Sequence, residues 1–193
     1  MSAEDTNCDA LRQMISKTVA ARFQASRRLE FHNKLSLFSI SLFSTILILV
    51  ALLQLVEFKF TFDNLVVNIG QVFLSIVILC FSIAISMSDF SLKSSRHHEC
   101  GVQLNELVYK LMNKWGVQLS DQEYEQRLGE YFNILSKYEN HTEADNSRVN
   151  KKVKYVGGSA AGYYSRFSLY FLLIIVSLVW FFVLIAKAAF FNS

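Results

Sequence analysis

An all-α integral membrane protein is the predicted class, on three observations. Two apolar runs, Leu35 to Val56 and Leu65 to Met87, are separated only by the mixed segment Glu57 to Asn64; a third runs from Phe167 to Ala186; and proline is absent from all 193 residues. At about 1.5 Å per residue the first two runs each reach roughly 33 Å, against a hydrocarbon core of about 30 Å. Neither contains a charge, so the pair reads as a transmembrane hairpin rather than a buried soluble helix pair. Without proline, long helices meet no interior break. Hydrophobic residues make up 52% of the chain and Phe fills 17 positions, as lipid-facing helices require. The net charge of +3 gives no ground for direct nucleic-acid binding.

Taken in order, residues 1–9 are polar and expected to be disordered. From Ala10 to Lys34 an amphipathic helix is predicted, with Leu11, Ile15, Val19 and Phe23 recurring every four residues and Arg12, Lys17, Arg22, Arg27 and Arg28 between them. The apolar run that follows is too long for a signal peptide and lacks a small-residue cleavage pattern, so it is expected to stay as a span. The chain then divides into an N-terminal helix (1–34), the hairpin (35–88), a cytoplasmic helical module (89–156) and a small-residue joint leading to the third span (157–193).

Orientation follows from the basic residues. Six precede the first span, Lys59 alone lies in the hairpin loop, eleven lie between Met87 and Phe167, and Lys187 follows the third run. All but two of the 19 Lys and Arg residues therefore fall on one side, which the positive-inside rule makes cytoplasmic. Arg22, Arg27, Arg28, Lys34, Lys151, Lys152 and Lys154 are read as basic anchors there. Phe58, Phe60 and Phe62 alternate through the loop and Tyr163, Tyr164 and Tyr170 stand near the start of the third span, as aromatic residues do at membrane boundaries. Lys187 can extend its stem to the far interface. The N-terminus is thus expected in the cytoplasm and the C-terminus outside.

In the cytoplasmic module Leu104, Leu107, Val108, Leu111 and Trp115 form one helical face, on a helix expected to continue unbroken from the second span until Gly116. Ser120 and Glu123 form a capping box, starting a helix with the stripe Tyr124, Leu128, Tyr131, Phe132 and Leu135. The two helices are expected to pack antiparallel. Asn140 to Ser147 reads as a polar loop and Val149 to Val156 as a basic helix. Gly157, Gly158 and Gly162, with the small residues among them, form a hinge or close helix contact, or else a flexible joint. No Gly-Lys-Ser/Thr ends that stretch, so it is no phosphate loop.

Cys8, Cys80 and Cys100 show no pairing by spacing, and His97 with Cys100 on one helix face reads as exposed surface rather than a zinc site. No nucleophile elbow, dinucleotide fingerprint or acidic pair with a pocket is present. Neither an enzyme nor a cofactor or metal requirement is expected.

The most informative pattern lies in the second span. Asn64, Asn68, Gln71, Ser75, Ser82 and Asp89 fall on one helical seam, with Ile78 and Ile85 at its two vacant positions. Polar side chains at membrane depth need partners or water. The seam either hydrogen-bonds to Ser41, Ser44 and Thr45 of the first span or to the third span, or, in a homo-oligomer, it lines an aqueous path that Ile78 and Ile85 close as hydrophobic rings.

The segment Ala21-Arg22-Phe23-Gln24-Ala25-Ser26-Arg27-Arg28-Leu29-Glu30, with Lys34-Leu35-Ser36 after it, resembles the start of the SLATT family. Tyr131-Phe132-Asn133-Ile134-Leu135 through Tyr138-Glu139-Asn140-His141 and Asp145 is similar to that family's cytosolic helix and turn, particularly in its branch beside reverse transcriptases. The resemblance covers about Ala10 to Val156. It implies a two-transmembrane effector of bacterial defence that permeabilises the inner membrane and stops growth, paired with an operon-encoded sensor such as a reverse transcriptase or a nucleotide-signalling enzyme. It carries over no catalytic residue, and His141 and Asp145 are read as ordering a turn. The third span departs from a two-span description. A membrane anchor recruiting a cytosolic partner through residues 91–156 is the competing reading.

Overall fold

The computed structural model describes residues 6–58, 60–114, 116–140 and 157–191, with side chains described throughout except at 157–166 and 187–191. The predicted basic helix at 149–156, with Lys151, Lys152 and Lys154, lies outside the described residues, as do His141 and Asp145. Five helices are described: α1 (Asn7–Leu55), α2 (Asn64–Ser86), α3 (Phe90–Met112), α4 (Asp121–Ser136) and α5 (Gly157–Phe191), with no strand among the described residues. Apolar stretches of α1, of α2 and of α5 at Phe167–Ala186 are long enough to cross a membrane. Contacts divide the chain into two compact units, residues 1–31 with 90–160 and residues 32–89 with 161–193.

The first unit is built on the first half of α1 with α3 and α4. Spacing of four along α1 places Leu11, Ile15 and Val19 on one buried stripe, and Leu104, Leu107, Leu111, Leu119 and Tyr131 close over it. The helix begins earlier than its pattern suggests. Thr6 Oγ1 accepts from Asp9 N (3.3 Å) and donates to Asp9 Oδ2 (2.7 Å), satisfying one amide of the first turn that has no intrahelical partner. Asn7 Nδ2 donates to the Leu119 carbonyl (3.0 Å) and its Oδ1 accepts from Leu119 N (2.8 Å). Residues 7–9 are therefore anchored rather than disordered, and Cys8 is wholly buried.

Helices α3 and α4 pack antiparallel: Lys114 Nζ reaches Glu123 Oε1 (2.5 Å) at one end, and Gln103 Nε2 donates to Tyr138 OH (2.9 Å) at the other. Gly116, at φ +72°, makes the turn between them, a conformation glycine adopts without strain. Half of the expected capping box forms. Ser120 Oγ accepts from Glu123 N at 3.3 Å, but the Glu123 carboxylate is drawn to Lys114 and Arg127.

The expected unbroken rod from the second span to Gly116 is not found. Helix α2 ends at Ser86, Met87 and Ser88 turn back to the Ile83 and Ile85 carbonyls (both 3.0 Å), and α3 starts afresh at Phe90. Asp89, at φ +49°, occupies the left-handed region, which aspartate tolerates better than bulkier side chains. The uninterrupted rod is α1, with 49 residues.

The second unit contains the three membrane-length stretches. The beginnings of the membrane-length stretches of α1 and α5 meet: His32 stacks on Phe167 (centroids 4.0 Å) and meets Tyr170 edge-on (6.0 Å). At the far end Thr61 N donates to the Leu184 carbonyl (3.0 Å). Helix α5 thus runs parallel to α1 and antiparallel to α2. Val50, Phe60, Val67 and Leu184 form a buried cluster with Trp180 packed on it. Phe60 and Tyr170, expected as boundary anchors, are 7% and 6% exposed and serve this packing. Gly70 makes the closest approach: a Cβ there meets the Trp180 ring at 2.8 Å, so a bare backbone seats the indole.

Candidate functional site

Of the 23 residues of α2, Val67 alone is classed as buried. Leu65, Ile69, Val72, Phe73, Ile76, Leu79 and Ile83 are all exposed, an apolar surface far too continuous for water. Along one flank runs the predicted polar seam, and its members have different surroundings. Asn64, Asn68, Ser75 and Asp89 are exposed; Gln71, Ile78, Ser82 and Ile85 are half-buried.

Two amides of the seam bind α1. Gln54 Nε2 donates to Asn68 Oδ1 (2.9 Å), and Gln71 Nε2 donates to the Leu47 carbonyl (3.2 Å). These partners replace the expected ones: Thr45 Oγ1 instead donates to the Ser41 carbonyl one turn back (2.8 Å). The sequence reading missed Gln54. Its signal was being the lone amide of the first apolar run, seven residues beyond Leu47. The seam hydroxyls also turn inward, Ser75 Oγ to the Gln71 carbonyl (2.7 Å) and Ser82 Oγ to the Ile78 carbonyl (2.8 Å). Ile78 lines a small apolar pocket with Ser39, Phe43, Val77, Phe81 and Leu173. Within the chain the open polar groups of the seam are therefore Asn64 and the free side of Asn68, towards the hairpin loop, and Asp89 beyond the helix end.

The three glycines read as a hinge, Gly157, Gly158 and Gly162, lie in continuous helix at the start of α5. The basic anchors separate. Arg27 and Lys34 are exposed, whereas Arg22 is 0% and Arg28 8% exposed. Arg22 projects from α1 into the first unit, where Nη1 bonds His97 Nδ1 (3.2 Å) and the Glu139 carbonyl. His97 and Cys100, read as exposed surface, are buried at 7% and 0%. They belong to the α3 stripe that continues through Leu104, Leu107 and Leu111, one turn earlier than its aliphatic members suggest. Below them Ser94 Oγ donates to the Ser26 carbonyl at 2.9 Å. Burial pushes the Cys100 thiol pKa up, against the downward pull of Arg22. No group of three or more potential metal-ligating side chains occurs among the described residues.

The chain matches the SMODS and SLOG-associating 2TM effector domain family 5 (SLATT_5) over residues 4–190. The match extends beyond the segment from Ala10 to Val156 that carried the resemblance and takes in α5. No curated protein and no solved structure matches.

Proposed function

Because the chain belongs to the SMODS and SLOG-associating 2TM effector domain family 5, we propose that it is the membrane-permeabilising effector of a bacterial antiviral, abortive-infection system. It acts as a homo-oligomer in the inner membrane, with the N-terminus cytoplasmic and the C-terminus periplasmic. It performs no catalysis: a sensor encoded beside it, such as a reverse transcriptase or a nucleotide-signalling enzyme, supplies the signal that the first unit receives. The observation that carries this reading is the exposed polar edge of α2, with Asn64 and the side of Asn68 that Gln54 does not use uncovered on a helix whose outer face is otherwise apolar. In lipid such amides require either another helix or water. Copies of the chain meeting along that edge supply both.

Induction in cells carrying a membrane-potential dye tests the proposal. Depolarisation that precedes growth arrest is expected, and growth arrest with the potential intact excludes permeabilisation. The double variant Asn68→Leu, Gln71→Leu is expected to abolish conductance while still inserting; loss of insertion makes the edge structural instead.

The closed core of the first unit favours a second reading, a membrane anchor that recruits a cytosolic partner through residues 91–156. Since α1 completes that core through Leu11, Ile15 and Val19, the fragment that binds such a partner has to include residues 7–31. The anchor reading predicts harmless overexpression of the full chain.

A further inference from the structure

Arg22 is a fully buried guanidinium whose bonding is only partly made. Nη1 is shared between His97 Nδ1 and the Glu139 carbonyl, while Nε and Nη2 are buried without a hydrogen-bond partner. Those two nitrogens form the side-on edge of the guanidinium, whose parallel N–H groups match the two oxygens of a carboxylate or phosphate. Both partners that Arg22 does have are neutral. Arginine only donates, so His97 accepts through an unprotonated Nδ1, and the second acceptor is a peptide oxygen. No carboxylate among the described residues pairs with it: Glu99, whose charge reaches Cys100 as that of Arg22 does, is engaged by the Tyr138 hydroxyl. Cys100, which feels the Arg22 charge, is kept as a neutral thiol by its burial. A cation withdrawn from water with three of its five donors unmade is strongly disfavoured unless an anion completes it.

We propose that the Nε–Nη2 edge of Arg22 is a binding site for a small oxyanion of the carboxylate or phosphate class, taken up within the first unit. Arg22 holds the ligand side-on and keeps Nη1 on His97. Entry proceeds through the Glu139 contact, because Glu139 is exposed and follows the end of α4, so that bond is the one that opens. In the proposed effector, uptake of the anion is the event by which the first unit is switched. That last step rests on the effector reading, whereas binding does not.

The test uses the full chain, purified in detergent, with sodium phosphate or sodium formate titrated against chloride at constant ionic strength and the response followed by thermal unfolding and calorimetry. A saturable rise in Tm with at least one of the two anions is expected, and the preferred anion separates phosphoryl from carboxylate recognition. Arg22→Lys, which keeps the charge but loses the fork, is expected to weaken binding about tenfold or more. Arg22→Met is expected to fold and to ignore both anions, since an apolar side chain often replaces a buried ion without loss. If Arg22→Met does not fold, Arg22→Lys carries the comparison. A wild-type chain that responds to neither anion, or a response unchanged in Arg22→Lys, overturns the site. Anion binding without depolarisation in cells sinks the effector reading and leaves the site standing; depolarisation without anion binding does the reverse.

Discussion

The two units invert the usual relation between polarity and burial. The first, rich in charged residues, has a closed core in which Leu11, Ile15, Leu104 and Leu111 are each 1% exposed or less, and it even encloses Arg22. The second, almost free of charge, leaves Ile69, Val72, Phe73, Ile76 and Leu79 between 56% and 64% exposed. The two exposures have different meanings because the solvents differ: water drives apolar side chains inside, whereas hydrocarbon leaves them where they are and penalises unpaired amides instead. In the second unit the informative contacts are therefore the few polar ones, and in the first they are the aliphatic ones.

The largest expected effect probes that contrast directly. Leu104→Ala empties a fully buried position in the first unit and is expected to cost about 3 kcal/mol. Ile76→Ala, at a position 56% exposed on α2, is expected to change unfolding in detergent by less than about 0.5 kcal/mol. Unfolding of both variants, followed by amide exchange in α3 and α2, measures the difference. Equal costs mean that α2 is packed on its outer face against a further helix.

Gly70 tests the packing of the second unit where a bare backbone meets the Trp180 ring. A Cβ placed 2.8 Å from the Trp180 ring forces the indole aside, and Gly70→Ala is expected to destabilise by about 1–3 kcal/mol. The double variant Gly70→Ala, Trp180→Leu is expected to recover part of that loss, so a double-mutant cycle reads the coupling. Additive costs indicate that Trp180 has room to move.

How much of this was legible in the sequence divides along the same line. The membrane-length runs were legible because lipid imposes one rule, apolar for about 20 residues, which composition displays. The α3 and α4 stripes were legible because Leu and Tyr recur at helical spacing, but Phe132, expected on the α4 stripe, is 56% exposed: it follows Tyr131 directly and so turns about 100° away from the buried face. What sequence alone did not reveal were meetings between distant segments. Asn7 binds Leu119 across 112 positions and Gly70 faces Trp180 across 110, and no local pattern links either pair. Arg22 read as an anchor because basic residues before a span ordinarily are; only the fold turns its position on α1 towards His97. The break at Asp89 was hidden for a different reason. Its neighbours Ser88, Phe90 and Ser91 carry no Gly or Pro to mark it.

A smaller effect is expected at Asn7. Asn7→Ala removes the reciprocal pair with Leu119 and leaves the Leu119 amide and carbonyl without that partner, for a cost of about 1–2 kcal/mol. Faster exchange of the Leu119 amide, with exchange in α2 unchanged, is the expected signature. If α2 amides accelerate equally, the first unit does not unfold by itself and the contrast between the units weakens.

The smallest effect concerns pH and should appear in the first unit alone. Burial raises the thiol pKa of Cys8 and Cys100 above the ordinary 9.0, and burial followed by the charge of Glu99 raises the Tyr138 phenol above 10.0. For each group the folded chain keeps its proton to higher pH than the unfolded chain does. The stability this contributes is therefore fully present below about pH 9 and is lost as pH climbs from there through the raised values. Chemical unfolding read on the α3 and α4 amides is expected to be level from pH 7 to 9 as far as these groups are concerned, and to fall above it. In the variant Cys8→Ala, Cys100→Ala the fall should be shallower than in the parent chain. An identical slope in both places the alkaline loss on groups other than the buried thiols, and Tyr138 becomes the first to examine, by Tyr138→Phe.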